Sequence, residues 1–246
     1  FWTLPVGLFS CQGAAKVEVF VILTLALTAC GGGETPTPIV APPTATPVPP
    51  TATLASENAQ SASTAADVRT FVLDAAQSEA RFFISEVLLG SPTEVMGATN
   101  QITGAITIDL NTPANTQVSP IQINARDLKT DRNLRDRAIR RFILQSADDK
   151  YQLITFTPAA IRGLPTAVQP GDSFSFEITG DLQIRDRVAP VTFAVTLTAD
   201  SATQITGLAQ ATVQRATFDL RIPSAPGVAD VSEDVRLELA FVALAE

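Results

Sequence analysis

SFSFEITGDLQIR, Ser173 to Arg185, alternates without a break: Phe174, Phe176, Ile178, Gly180, Leu182 and Ile184 fall on one face, and Ser173, Ser175, Glu177, Thr179, Asp181, Gln183 and Arg185 on the other. Successive side chains of a strand point to opposite faces, so a period of two marks a half-buried β-strand. The same pattern runs through Ile102, Gly104, Ile106, Ile108 and Leu110, through Val191, Phe193, Val195 and Leu197, and through Val235, Leu237, Leu239 and Phe241. Weaker versions cover Arg81 to Val87, Ile121 to Ala125, Leu153 to Ile161 and Gln204 to Val213. That makes about eight strands. Turn residues separate them at Asn111-Thr112-Pro113, at Gln169-Pro170-Gly171-Asp172 and from Asp186 to Pro190.

Strands with one apolar and one polar face must pack as two sheets or close on themselves. Open edges as long as the Ser173–Arg185 run invite aggregation, which favours closure into an all-β antiparallel barrel. A single Trp and a single Tyr are too few for the aromatic girdles of an outer-membrane barrel. A soluble barrel is expected. One segment, Thr130 to Leu144, breaks the period: Leu134, Ala138 and Phe142, flanked by Ile139 and Ile143, share a stripe at helical spacing. It predicts an inserted amphipathic helix capped by Thr130 or Asp131. Its outer face would carry Arg132, Arg135, Arg137, Arg140 and Arg141. These could meet anionic head groups as a mouth helix, or lie solvated with Asp131–Arg135 and Asp136–Arg140 pairs.

The 246-residue chain carries 17 Lys and Arg against 25 Asp and Glu, a net charge of -8, the wrong sign for tracking nucleic acid phosphates. It contains no histidine, which removes Ser-His-Asp and Cys-His nucleophile systems and every His-ligated metal. Asp148-Asp149 and Glu233-Asp234 are the acid–base material, and both fall in loops or strand starts. No DxDxDG calcium loop occurs. Neither enzymatic activity, a metal nor a cofactor is expected.

Cys11 and Cys30 both lie before the strands, so the barrel holds together by burial alone. Val19 to Ala29 is an uncharged run too short to span a bilayer and reads as the h-region of a secretory signal over residues 1–29. It leads into Leu27-Thr28-Ala29-Cys30-Gly31, which resembles the bacterial lipobox, with Cys30 as the lipid-attachment site. The chain opens on Phe1, so Phe1 to Ala15 reads as a misassigned start or a fragment and takes no role. Residues 30–66 read as a lipidated cysteine followed by a disordered tether, with seven of the chain's 17 prolines between Pro36 and Pro50. In polyproline II form, those positions would span roughly 45 Å. Two acyl chains or more would hold the protein at a membrane, on the outer face of the cytoplasmic membrane or in the periplasm.

Residues 67–246 remain for the barrel. Here Asn124-Ala125-Arg126-Asp127-Leu128-Lys129-Thr130, Leu134-Arg135-Asp136, Phe142-Ile143-Leu144 and Tyr151 to Phe156 come in order. Ile178-Thr179-Gly180-Asp181-Leu182, Pro190-Val191-Thr192-Phe193 and Arg215 to Leu220 follow. The series resembles the YceI-like family of lipid-binding barrels. The resemblance implies a lipocalin-like fold whose apolar lumen encloses a long isoprenoid chain, such as a quinone tail or a polyprenyl phosphate. The family tends to show Asp-Pro-x-His-Ser near its start, where this chain has Asp74-Ala75-Ala76-Gln77-Ser78, and a hairpin glycine where this chain has Asp186.

The lumen wall would then be Phe82, Ile84, Ile106, Ile108, Phe142, Phe156, Phe174, Phe176, Ile178, Phe193, Val195, Leu237, Leu239 and Phe241. Small residues at Gly104, Gly207, Ala209 and Ala211 would leave room for a guest. The expected function is carriage or storage of an isoprenoid or other long-chain lipid by a membrane-anchored, extracytoplasmic protein. The alternative is a non-enzymatic surface interaction module whose barrel is filled by its own side chains.

Overall fold

The structure, a computed structural model, describes residues 67–246. The signal segment, Cys30 and the tether lie outside the described residues. The alternating runs fold as strands β1 (Val68–Leu73), β2 (Glu79–Leu88), β3 (Ser91–Thr99), β4 (Ile102–Thr103), β5 (Ala105–Asp109), β6 (Gln117–Val118) and β7 (Ile121–Asn124). After a helical segment come β8 (Leu153–Arg162), β9 (Ser173–Ile184), β10 (Arg187–Thr198), β11 (Gln204–Gln214), β12 (Val228–Ala229) and β13 (Asp234–Ala245). All pairings are antiparallel, in the order β4-β7-β8-β9-β10-β11-β13-β1-β5-β6, with β2 and β3 branching from β13. β4 and β5, near the two ends of this path, are separated in the chain only by Gly104, so the sheet curls back on itself. An all-β, barrel-like sheet with one inserted helix is the observed architecture.

Three details differ from the sequence expectation. First, β1 and β3 were not anticipated. β1 is short, and the inward face of β3 carries Val95, Gly97 and Thr99, so its apolar alternation is weak. Gly97 is required by its partner: a Cβ there would overlap the ring of Phe82, its register partner on β2. Second, the β9–β10 turn is only Arg185-Asp186, and Pro190 lies inside β10 opposite Asp181. Proline is tolerated because β10 gains its other neighbour, β11, only from Ala194 onward, leaving no ladder bond to lose at Pro190.

Third, the helical segment is shorter and changes pitch. α1 spans Asn133–Ala138, and Ile139–Ile143 continues as a π-helical turn closed by the Leu144 N–H donating to the Ile139 carbonyl at 2.8 Å. Its N-cap is Arg132, not Thr130 or Asp131. Thr130 is otherwise engaged: its N–H and Oγ1–H donate to Asp136 at 2.8 and 2.7 Å. Asp136 is thereby unavailable to Arg140, whose Nε donates to the Arg126 carbonyl at 3.0 Å, and the expected Asp136–Arg140 pair is replaced. The Asp131–Arg135 pair does form.

The strand directions place four connections at one end of the sheet. Because β2, β11 and β9 run one way and β13 and β10 the other, the β2–β3 and β9–β10 hairpins and the β11–β13 connection emerge together. The β7–β8 connection, which carries α1, emerges there too, since β8 opposes both β7 and β9. The buried core, from Phe71 to Ala243, and the described ladders lie within residues 68–245, inside one compact unit of the chain.

Candidate functional site

The inward faces of the strands leave an unfilled cavity of about 270 Å³. It is walled by residues of β1 to β3, β5 to β11 and β13, by Ile139, Ile143 and Leu144 of the helical segment, and by Phe218, Leu220, Ile222 and Val231 of the β11–β13 connection. The wall is apolar apart from five charged residues, Arg81, Glu86, Arg135, Arg215 and Glu238. Such a space attracts by area alone: apolar surface leaving water gains about 25 cal/mol per Å², with no directed bond needed. Phe156 and Phe193 meet edge to face in the wall, with ring centroids 5.0 Å apart.

Eleven of the expected wall residues line this cavity: Phe82, Ile84, Ile106, Phe156, Phe176, Ile178, Phe193, Val195, Leu237, Leu239 and Phe241. Three do not. Ile108 is buried in the core away from the cavity, and Phe174 is half-buried against the core. Phe142 is corrected outright: it is 61% exposed, carried outward within the π turn Ile139–Ile143, while Ile139 and Leu144 are buried. Of the small positions, Ala209 lines the cavity. The space beside Gly207 is taken by the Phe241 ring, its register partner, and that beside Gly104 by Ile121. The wall residues supplied by irregular segments, Phe218 to Val231, carry no periodicity and were not anticipated.

The charged groups of the wall are all engaged. Glu86, 8% exposed, accepts from Arg135 Nη2 at 2.8 Å, and the same guanidinium reaches Asp131. Arg135 was expected on the solvated face, yet the opposite is seen: the buried carboxylate of Glu86 draws it inward. Arg215 Nε donates to the Ser232 carbonyl at 2.7 Å, its other nitrogens to the carbonyls of Leu220 and Val231, and Nη2 to Glu233 at 2.6 Å, fastening the β11–β13 connection over the cavity. Glu238 accepts from Gln210 Nε2 at 2.8 Å and from Arg236. Arg81 pairs with Glu79.

Three of the four acids singled out in the sequence hold protein partners. Asp148 caps a short 3-10 turn by accepting from the Lys150 N–H, and Asp149 pairs with Arg126 at 2.7 Å. Glu233 holds Arg215. At the β9–β10 hairpin, Asp186 accepts from Lys150 Nζ at 2.7 Å and from the Tyr151 hydroxyl, which hold its carboxyl below the ordinary carboxylate range. Asp74 is likewise lowered, by the Gln77 side chain donating at 2.6 Å and by the Ala76 N–H. Gln77 therefore caps an exposed turn and does not line the cavity.

The YceI-like domain matches residues 71–243, most of the chain. The chain belongs to the YceI-like family. Among solved structures, a polyisoprenoid binding domain from Saccharophagus degradans, implicated in plant cell wall breakdown, superposes with a TM-score of 0.57 at 14% identity, covering 72% of this chain and 98% of that one. BcnA of Burkholderia cenocepacia gives 0.53 at 18% identity, over 69% and 98%. At these identities the likeness is one of fold. No curated protein matches the chain. Gln77, set against a histidine by the resemblance, stands in an exposed turn. Asp186, set against a hairpin glycine by the resemblance, follows Arg185, which takes the left-handed conformation at φ 57°.

Proposed function

We propose that this protein binds a long-chain lipid of isoprenoid type in its cavity, for carriage or storage, and performs no catalysis. The observation that carries the proposal is the cavity itself: an unfilled apolar space whose charged wall residues are already satisfied by protein partners. It suits an aliphatic chain better than any polar substrate. A barrel acting only as a surface module would have no reason to stay hollow, since voids destabilise a core. The neighbour from Saccharophagus degradans, a polyisoprenoid binding domain of the same fold, supports the same class of guest.

Ala209→Phe provides the test, because it places a ring in the space the guest would occupy. Uptake of a fluorescent polyprenyl probe should fall at least about tenfold while thermal stability holds or rises, since filling a void restores lost contacts. Unchanged uptake contradicts the proposal.

The proposal extends to the place of action: an extracytoplasmic protein held at the membrane through acylated Cys30, the polyproline stretch acting as a spacer. Cys30→Ser in the full chain should move the protein from the membrane to the soluble fraction. Unchanged fractionation would sink the anchor.

A further inference from the structure

The end of the barrel that carries the β2–β3 hairpin, α1, the β9–β10 hairpin and the β11–β13 connection exposes large apolar side chains. Leu134 is 73% exposed, Phe142 61% and Leu89 80%. On a uniform α-helix, at 100° per residue, Phe142 would stand roughly 80° around from Leu134. The π turn advances each residue by only about 80°, which brings the two onto one side.

Leu89 is placed against its own conformational preference. The β2–β3 turn is Leu89-Gly90, with both residues at positive φ, 50° and 83°. The first position of such a turn ordinarily takes Asn, Asp or Gly, and a bulky apolar residue there is strained. A side chain that is both strained and exposed at a hairpin tip points to a use outside the fold. Glu86, three residues before it on β2, is joined to Arg135, so the hairpin and α1 are linked neighbours.

The charge pattern names the partner. Residues 130–144 carry five arginines and two aspartates in a chain of net charge -8. Several acids of this end are neutralised in place: Glu86 and Asp131 by Arg135, Asp149 by Arg126, Asp186 by Lys150 and Glu233 by Arg215. Arg137 and Arg141, both exposed and beside Leu134 and Phe142, have no ion-pair partner among the described residues. Apolar tips with unpaired arginines beside them, over the segment that walls the cavity, match an anionic bilayer: apolar side chains enter the acyl boundary and guanidinium groups meet phosphate.

We propose that this end of the barrel docks on an anionic membrane surface, inserting Leu89, Leu134 and Phe142 and engaging lipid phosphates through Arg137 and Arg141. Docking there presents the wall formed by Ile139, Ile143 and Leu144 to the bilayer from which a lipid guest would come. That consequence rests on the proposed lipid binding, whereas the docking rests on the surface alone.

Co-sedimentation of residues 60–246 with phosphatidylcholine vesicles, with and without phosphatidylglycerol, is the experiment. The protein should bind the anionic vesicles, bind neutral ones weakly and come off in high salt. Arg137→Gln with Arg141→Gln, and separately Leu134→Ser with Phe142→Ser, should each weaken binding at least about tenfold. None of these residues lines the cavity, so uptake of the polyprenyl probe and the circular dichroism should stay unchanged. Ala209→Phe should lose the probe yet still bind vesicles, which separates failure of docking from failure of lipid binding. No binding by the unmodified protein, equal binding to neutral vesicles, variants that bind like the parent, or a dimer by light scattering that the Leu134→Ser/Phe142→Ser variant abolishes would each overturn the proposal.

Discussion

Arg135 is one of five arginines between residues 130 and 144, and its guanidinium is drawn to the buried carboxylate of Glu86. Taking a carboxylate out of water costs several kcal/mol unless a partner and hydrogen bonds compensate it. Arg135→Ala strands Glu86 at the cavity wall, and we expect a loss of about 3 kcal/mol in urea unfolding. Replacing both residues by leucine should recover most of that loss, because two apolar side chains leave no charge uncompensated. A single variant as stable as the parent would show that Glu86 escapes to solvent or takes a proton. No periodicity marks this pair: the sequence pattern separates the faces of a helix, whereas a carboxylate arriving from β2, 49 positions away in the chain, decides which arginine turns in.

Element by element, the legibility of the fold follows side-chain size. β9 was plain in the sequence because large apolar residues occupy almost every inward position, with Gly180 as the gap. That gap is filled from outside the strand: a Cβ at Gly180 would lie 2.8 Å from both Phe156 Cζ and Pro158 Cα and closer still to the Thr157 carbonyl. β8 bulges between Pro158 and Ala160, which brings its backbone over β9 there. Gly180→Ala should therefore cost about 1–3 kcal/mol, because backbone must yield where a flexible side chain would have turned aside. An unchanged melting temperature would mean that the bulge relaxes freely. β3 was opaque for the converse reason, since its Gly97 gives its place to Phe82 and the aromatic ring appears in the sequence of β2. The helical segment was legible as amphipathic, but the π turn that sends Phe142 outward depends on packing against the barrel and leaves no mark in a pattern of period 3.6.

At the scale of the molecule, the curled sheet gathers inward faces from most of its strands around one apolar space, with one end furnished by the irregular connections. The strand-borne part of the wall could be read from alternation, while the part borne by Phe218 to Val231 could not, because Arg215 and its carbonyl acceptors shape that connection. We expect the space to hold a long-chain lipid. Native mass spectrometry of residues 60–246, purified from a bacterial host without detergent, followed by solvent extraction and identification of what is released, tests it most directly. A stoichiometric isoprenoid or similar long-chain lipid is the expected result. A clean unliganded mass, with no uptake from offered quinones or polyprenyl phosphates, would contradict it.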